Sequence, residues 1–85
     1  MISADEAYEH LSLLCEEEAE MHLAKIEEEI RDSINKKTFT AWYAANKFKN
    51  DLASDAVFHF VHRQLTDKGY VIKYSGSYIE IGFKK

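Results

Sequence analysis

Between Ala4 and Asn35 the chain contains neither glycine nor proline, and this unbroken run limits the possible folds more than any other feature. Nothing in it stops a helix once one has started. Ser3 and Glu6 stand at capping-box spacing just before it. The Ser3 hydroxyl is placed to accept from the Glu6 amide, and the Glu6 carboxylate to reach back to the Ser3 amide. Asp5 and Glu6 also suit the positive end of a helix dipole. The apolar stripe runs through Ala4, Tyr8, Leu11, Cys15, Ala19, His22 or Leu23, Ile26, Ile30 and Ile34, mostly in steps of four and three. A faint eleven-residue repeat begins at Ala4, Cys15 and Ile26, and two copies carry an identical Glu-Glu-Glu triplet. Such a period keeps one face of a nearly straight helix in line. A break near residues 16–20 would instead give a helical hairpin.

Length gives the helix its meaning. About 32 residues at 1.5 Å each reach roughly 48 Å. A compact chain of this size has a radius of gyration of roughly 12 Å, hence a diameter of about 31 Å. The helix is therefore expected to overhang its own domain and to need a second chain over its stripe. The residues expected in that homo-oligomer interface are Tyr8, Leu11, Cys15, Leu23, Ile26 and Ile30.

Eighty-five residues make one domain, 1–85. It divides by charge into two parts. Residues 1–35 hold eleven acids and two bases, a balance of -9, and residues 36–85 hold four acids and nine bases, a balance of +5; together these give the net -4. An acidic half joined to a basic half can attract neighbouring copies or another charged partner. The 46% hydrophobic content argues against a disordered tail. The single cysteine, Cys15, forms no intrachain disulfide and suits a reducing compartment. No apolar run approaches membrane-spanning length, and the acidic start is unlike a signal peptide. The expectation is a cytoplasmic protein without a membrane partner.

In the basic half, Asp51 or Ser54 can cap a second helix, with Val57, Phe58, Val61 and Leu65 on its apolar face and Gly69 at its C′ position. A hairpin follows. Tyr70, Ile72, Ile79, Ile81 and Phe83 alternate with Val71, Lys73, Tyr78 and Glu80 around a tight turn at Ser75-Gly76. The segment Thr38–Ala45 decides the fold. As a strand it gives an α+β chain, a long N-terminal helix followed by β-α-β-β with a three-stranded antiparallel sheet. As a helix it gives a helix-turn-helix with a wing.

Charge bears on the winged-helix, DNA-binding alternative. The supposed recognition helix has only Arg63 and Lys68 against Asp55 and Asp67, and duplex readers need more basic and amide groups. Aromatics lie among bases at Trp42, Tyr43, Lys47, Phe48 and Lys49. This set is the candidate binding patch for a host or phage protein. With Lys36, Lys37 and Phe39 it forms the basic and aromatic area suited to single-stranded nucleic acid by stacking. Trp42, Tyr43, Lys47 and Lys49 are the residues for a signalling nucleotide held between subunits.

The pieces Ile26-Glu27-Glu28-Glu29-Ile30, Thr38–Ala45 as a short β segment, Leu65-Thr66-Asp67-Lys68-Gly69-Tyr70-Val71-Ile72 and Ile79-Glu80-Ile81-Gly82-Phe83 resemble a loose class of small tailed-bacteriophage proteins. In that class an acidic helix ends in I-E-x-x-I, a second helix ends in L-x-x-x-G-Y-x-V, and a hairpin ends in I-x-I-x-aromatic. The resemblance covers roughly residues 20–83. It departs at Phe83, where the class often has Trp, and at Lys36-Lys37, where it often has Gly. It implies the α-β-α-β-β reading and an accessory role in the infected cytoplasm, with no defined chemistry.

No catalytic, metal or cofactor site is expected. His59 and His62 stand one helical turn apart, but no zinc motif completes them. Cys15 falls on the apolar stripe as a small hydrophobe, and no Gly-rich phosphate loop is present.

Overall fold

The computed structural model describes all residues from Met1 to Lys85. Helix α1 spans Ala4–Asn35 without a break. Ser3 caps it, its Oγ accepting from the Glu6 N–H at 3.2 Å. The return half of the capping box differs from expectation, because the Ser3 hydroxyl donates to the Glu6 carboxylate at 3.4 Å. At the other end the Lys37 N–H donates to the Ile34 carbonyl and the Thr38 N–H to the Ser33 carbonyl. This is a Schellman closure, and Lys37 occupies its left-handed position with φ 62°. Lys37 is the one non-glycine residue of the chain in that conformation.

Strand β1, Thr40–Ala44, answers the question left open for residues 38–45. A single 3-10 turn, Ala45–Lys47, follows it. Helix α2 is Ala56–Asp67, and strands β2 and β3 are Val71–Ser75 and Tyr78–Gly82. Asp55 caps α2, rather than Asp51 or Ser54. The Asp51 carbonyl instead closes a turn by accepting from the Ser54 N–H. Gly69, with φ 95°, terminates α2 by a second Schellman closure in which the Tyr70 N–H reaches the Leu65 carbonyl. The hairpin turn is Gly76-Ser77, one residue later than expected, with Gly76 at φ 58° as a two-residue turn of this kind requires.

The sheet is antiparallel in the order β1-β3-β2. The fold is thus α+β, with one three-stranded sheet and both helices packed on its inner face. Ala41, Tyr43, Ile79 and Ile81 of the sheet meet Ala19, Ile26 and Ile30 of α1 and Val61 and Leu65 of α2. Phe48 and Leu52, from the segment before α2, close the core. The eleven-residue period marks the inward face of α1, since Cys15 and Ile26, and likewise Ala19 and Ile30, are buried pairs at that spacing. The molecule measures 52 × 24 × 20 Å. Its long axis is about the length of α1 at 1.5 Å per residue.

Candidate interaction surfaces

The stripe assigned to an oligomer interface serves mainly the chain's own core. Ile26 is 1% exposed, Cys15 and Ile30 are buried, and Leu23 packs partly buried against the core. Cys15, Ile26 and Ile30 are thus covered within the chain, while Leu23 keeps part of its side chain at the surface. Tyr8 and Leu11 remain half exposed, Tyr8 leaning on Phe60 with ring centroids 5.9 Å apart. The reason is geometric. The sheet packs on the C-terminal part of α1, α2 reaches back along it as far as Tyr8 through Phe60 and Arg63, and nothing before Cys15 is buried. The N-terminal part, Ala4–Leu14, runs about 16 Å at 1.5 Å per residue, touching α2 along the Tyr8 side and exposed on the other. Its unpartnered apolar side chains are Leu13, 69% exposed, and Leu14, 78% exposed, and Met21 extends that exposed surface along the helix.

The expected binding patch also divides. Tyr43 is 1% exposed and Phe48 is buried. Lys47 Nζ lies over the Tyr43 ring at 4.7 Å, and Lys49 pairs with Glu18 at 3.6 Å. Trp42, the neighbour of Tyr43 in a strand, points to the opposite face of the sheet and is about half exposed. The five residues therefore divide, with Lys47, Phe48 and Lys49 lining one cleft beside α1 and Trp42 on the far face of the sheet. The winged-helix reading required residues 41–50 to be helical, and they are strand, one 3-10 turn and irregular chain.

A different patch exists on the outer face of the sheet. Cross-strand register places Trp42 beside Glu80 and Glu80 beside Lys73, with Tyr78 and Val71 on the same face. Trp42 and Tyr78 meet edge to face, centroids 6.4 Å apart. Phe39 sits at the start of β1 with Lys84 Nζ 5.7 Å from its ring centroid. Phe39, Trp42, Val71 and Tyr78 are all exposed, and neither Lys73 nor Lys84 is in an ion pair. Alternation in the hairpin already placed Val71, Lys73, Tyr78 and Glu80 on one face. Their junction with Trp42 depends on the pairing of β1 with β3, which no local pattern reveals.

The groups with the most chemistry line a cleft of about 220 Å³ between α1 and the segment before α2. Each is committed to structure. His22 Nδ1 and the Tyr43 hydroxyl are hydrogen-bonded at 2.6 Å, and the His22 ring stacks on Phe48 at 4.2 Å. Asp55 is buried and accepts three hydrogen bonds. Burial, with Glu18 and Asp55 adding to it, pushes the Cys15 thiol up and away from the reactive thiolate. No three His, Cys, Asp or Glu side chains converge as metal ligands, and no helix is long and apolar enough to cross a membrane.

His22 carries a pH dependence. Burial, then Lys25, holds its pKa below the ordinary 6.5, with Glu18 and Asp55 opposing and Lys47 adding slightly to the lowering. The unfolded chain therefore takes up the proton first. Stability is full above about pH 6.5, falls as pH drops towards the folded-state value, and levels off below it. In His22→Phe, which keeps a ring against Phe48, the urea midpoint should lose the part of its acid slope that begins near pH 6.5. An unchanged slope would show that His22 does not carry the effect.

Comparison of the chain with family models, with curated proteins and with solved structures gave no match.

Proposed function

We propose that the chain is a non-enzymatic, homo-oligomeric protein-interaction module, of the accessory type that its resemblance to small phage proteins implies, and that it assembles through the N-terminal part of α1. The observation that carries this reading is the exposure of Leu13 and Leu14 on a helical segment that has no buried residue. Adjacent leucines left in water on a helix mark a contact. The non-enzymatic part rests on the cleft, whose thiol, imidazole and carboxylate are occupied with packing and capping.

Absolute molar mass by chromatography with light scattering tests the reading. The native chain should elute as a multiple of 9.9 kDa. Leu13→Glu with Leu14→Glu should return it to 9.9 kDa with helix content unchanged, because glutamate and leucine have similar helix propensity. A native chain that stays at 9.9 kDa across a hundredfold concentration range would overturn it.

A further inference from the structure

Resting on the reading that the chain self-associates through α1, we infer that the surface receiving the N-terminal part of this helix is the outer sheet face of a second copy. Among the exposed apolar surfaces of this molecule, two complement each other. One is the helical segment Ala4–Leu14 with Leu13 and Leu14; the other is the sheet face with Phe39, Trp42, Val71 and Tyr78. Their lengths match, since the segment is about 16 Å long and five-residue strands run about 17 Å.

Charge favours this pairing over helix against helix. The segment carries Asp5, Glu6 and Glu9 and no lysine or arginine, and Glu16, Glu17 and Glu20 follow it. Two copies of α1 side by side would bring these acids together, which costs energy at every like pair. The sheet face offers Lys73 and Lys84, both outside ion pairs, with Lys85 next in sequence and Glu80 as its own acid, while at the β1 edge Glu29 and the Lys36-paired Asp32 of α1 stand beside Phe39 and Trp42. The helix cannot reach this face within its own chain, because α1 already lies across the inner face of the same sheet. Only another copy's helix can. Docking would cover the sheet on its second side, the usual way a sheet hides both faces. Docking of helix on sheet in one direction is heterologous and closes as a ring, whereas reciprocal docking of two copies makes a two-fold pair with two such contacts.

The experiment uses two variants of the full chain. The first, Leu13→Glu with Leu14→Glu, has a disabled helix and an intact sheet face. The second, Trp42→Thr with Tyr78→Thr, has a disabled sheet face and keeps strand-forming residues. Each variant alone should be monomeric, with the native far-ultraviolet spectrum. Mixed in equal amounts, they should form a 1:1 complex, because the second lends its helix to the first variant's sheet. Trp42 is the only tryptophan. Its emission in the first variant should therefore shift to the blue on mixing and return as salt screens the charges.

The outcomes separate the two ideas. If the Trp42/Tyr78 variant alone remains assembled, assembly runs through helices only, and this inference falls while the proposed function stands. If both variants are monomeric and mixing gives neither complex nor shift, the heterologous contact is wrong. If the native chain is monomeric and oligothymidylate quenches Trp42, the sheet face is a nucleic-acid surface and both ideas fall.

Discussion

Ile26→Ala is expected to destabilise the fold by about 3 kcal/mol, within the usual range for truncating a buried isoleucine. For a domain of this size that corresponds to a fall in melting temperature of roughly 15 °C. The loss comes from removed apolar surface and from a cavity that the neighbours cannot fill. Ile26 is among the most completely buried large side chains, at the meeting point of α1, α2 and the sheet. The measurement is urea or thermal unfolding in the Leu13→Glu, Leu14→Glu background, where association contributes nothing. A loss of the same size there and in the assembled protein places Ile26 in the core of each copy. If the loss vanished in the dissociated background, Ile26 would be an interface residue, and the assignment of the inner face of α1 would have to be reversed.

That reversal is the point at which sequence reading has least power. The stripe through Cys15, Ile26 and Ile30 was legible because apolar residues at helical spacing need cover. Whether the cover comes from the same chain or from another is not written in the stripe. The overhang was legible too, since it follows from length alone, but the segment that overhangs depends on where α2 and the sheet pack. Leu13 and Leu14 fall off the main stripe, and the signal that marks them is an adjacent apolar pair outside it. The hairpin was readable by its strict alternation and its glycine turn. Thr38–Ala45 was not, because a segment of that length suits either period. Trp42 and Tyr43 look alike in composition, yet one-residue alternation sends Tyr43 into the core and Trp42 to the opposite face. Phe48 lies in irregular chain, where no periodicity indicates burial. Three capping-type residues, Asp51, Ser54 and Asp55, precede α2, and the one used is set by the fold of the segment before it, in which Asp55 accepts from both Phe58 and Asn50.

That contact leads to the other large effect. Asp55→Ala is expected to cost about 2–3 kcal/mol, combining a lost helix cap with buried donors left without partners. Asp55 Oδ1 accepts from the Phe58 N–H at 2.8 Å. Oδ2 accepts from the Asn50 N–H at 3.1 Å and from the Asn50 side-chain amide at 3.3 Å. One carboxylate thus caps α2 and holds the segment that presents Phe48 and Leu52 to the core. Asp55→Asn separates the two duties. An amide oxygen can still cap Phe58, but its NH₂ then faces the Asn50 donors, and turning it over exchanges one unsatisfied side for the other. This nearly isosteric change should therefore cost almost as much as alanine, whereas at an ordinary exposed cap Asn and Asp are equivalent. Asp55→Ser, which keeps a capping oxygen and presents nothing to Asn50, should lose about 1–2 kcal/mol. Urea unfolding would rank the three, and amide exchange at Asn50 should quicken in all of them. If Asp55→Asn were as stable as the native chain, the Asn50 contacts would contribute nothing. The segment before α2 would then be held by Phe48 and Leu52 packing alone.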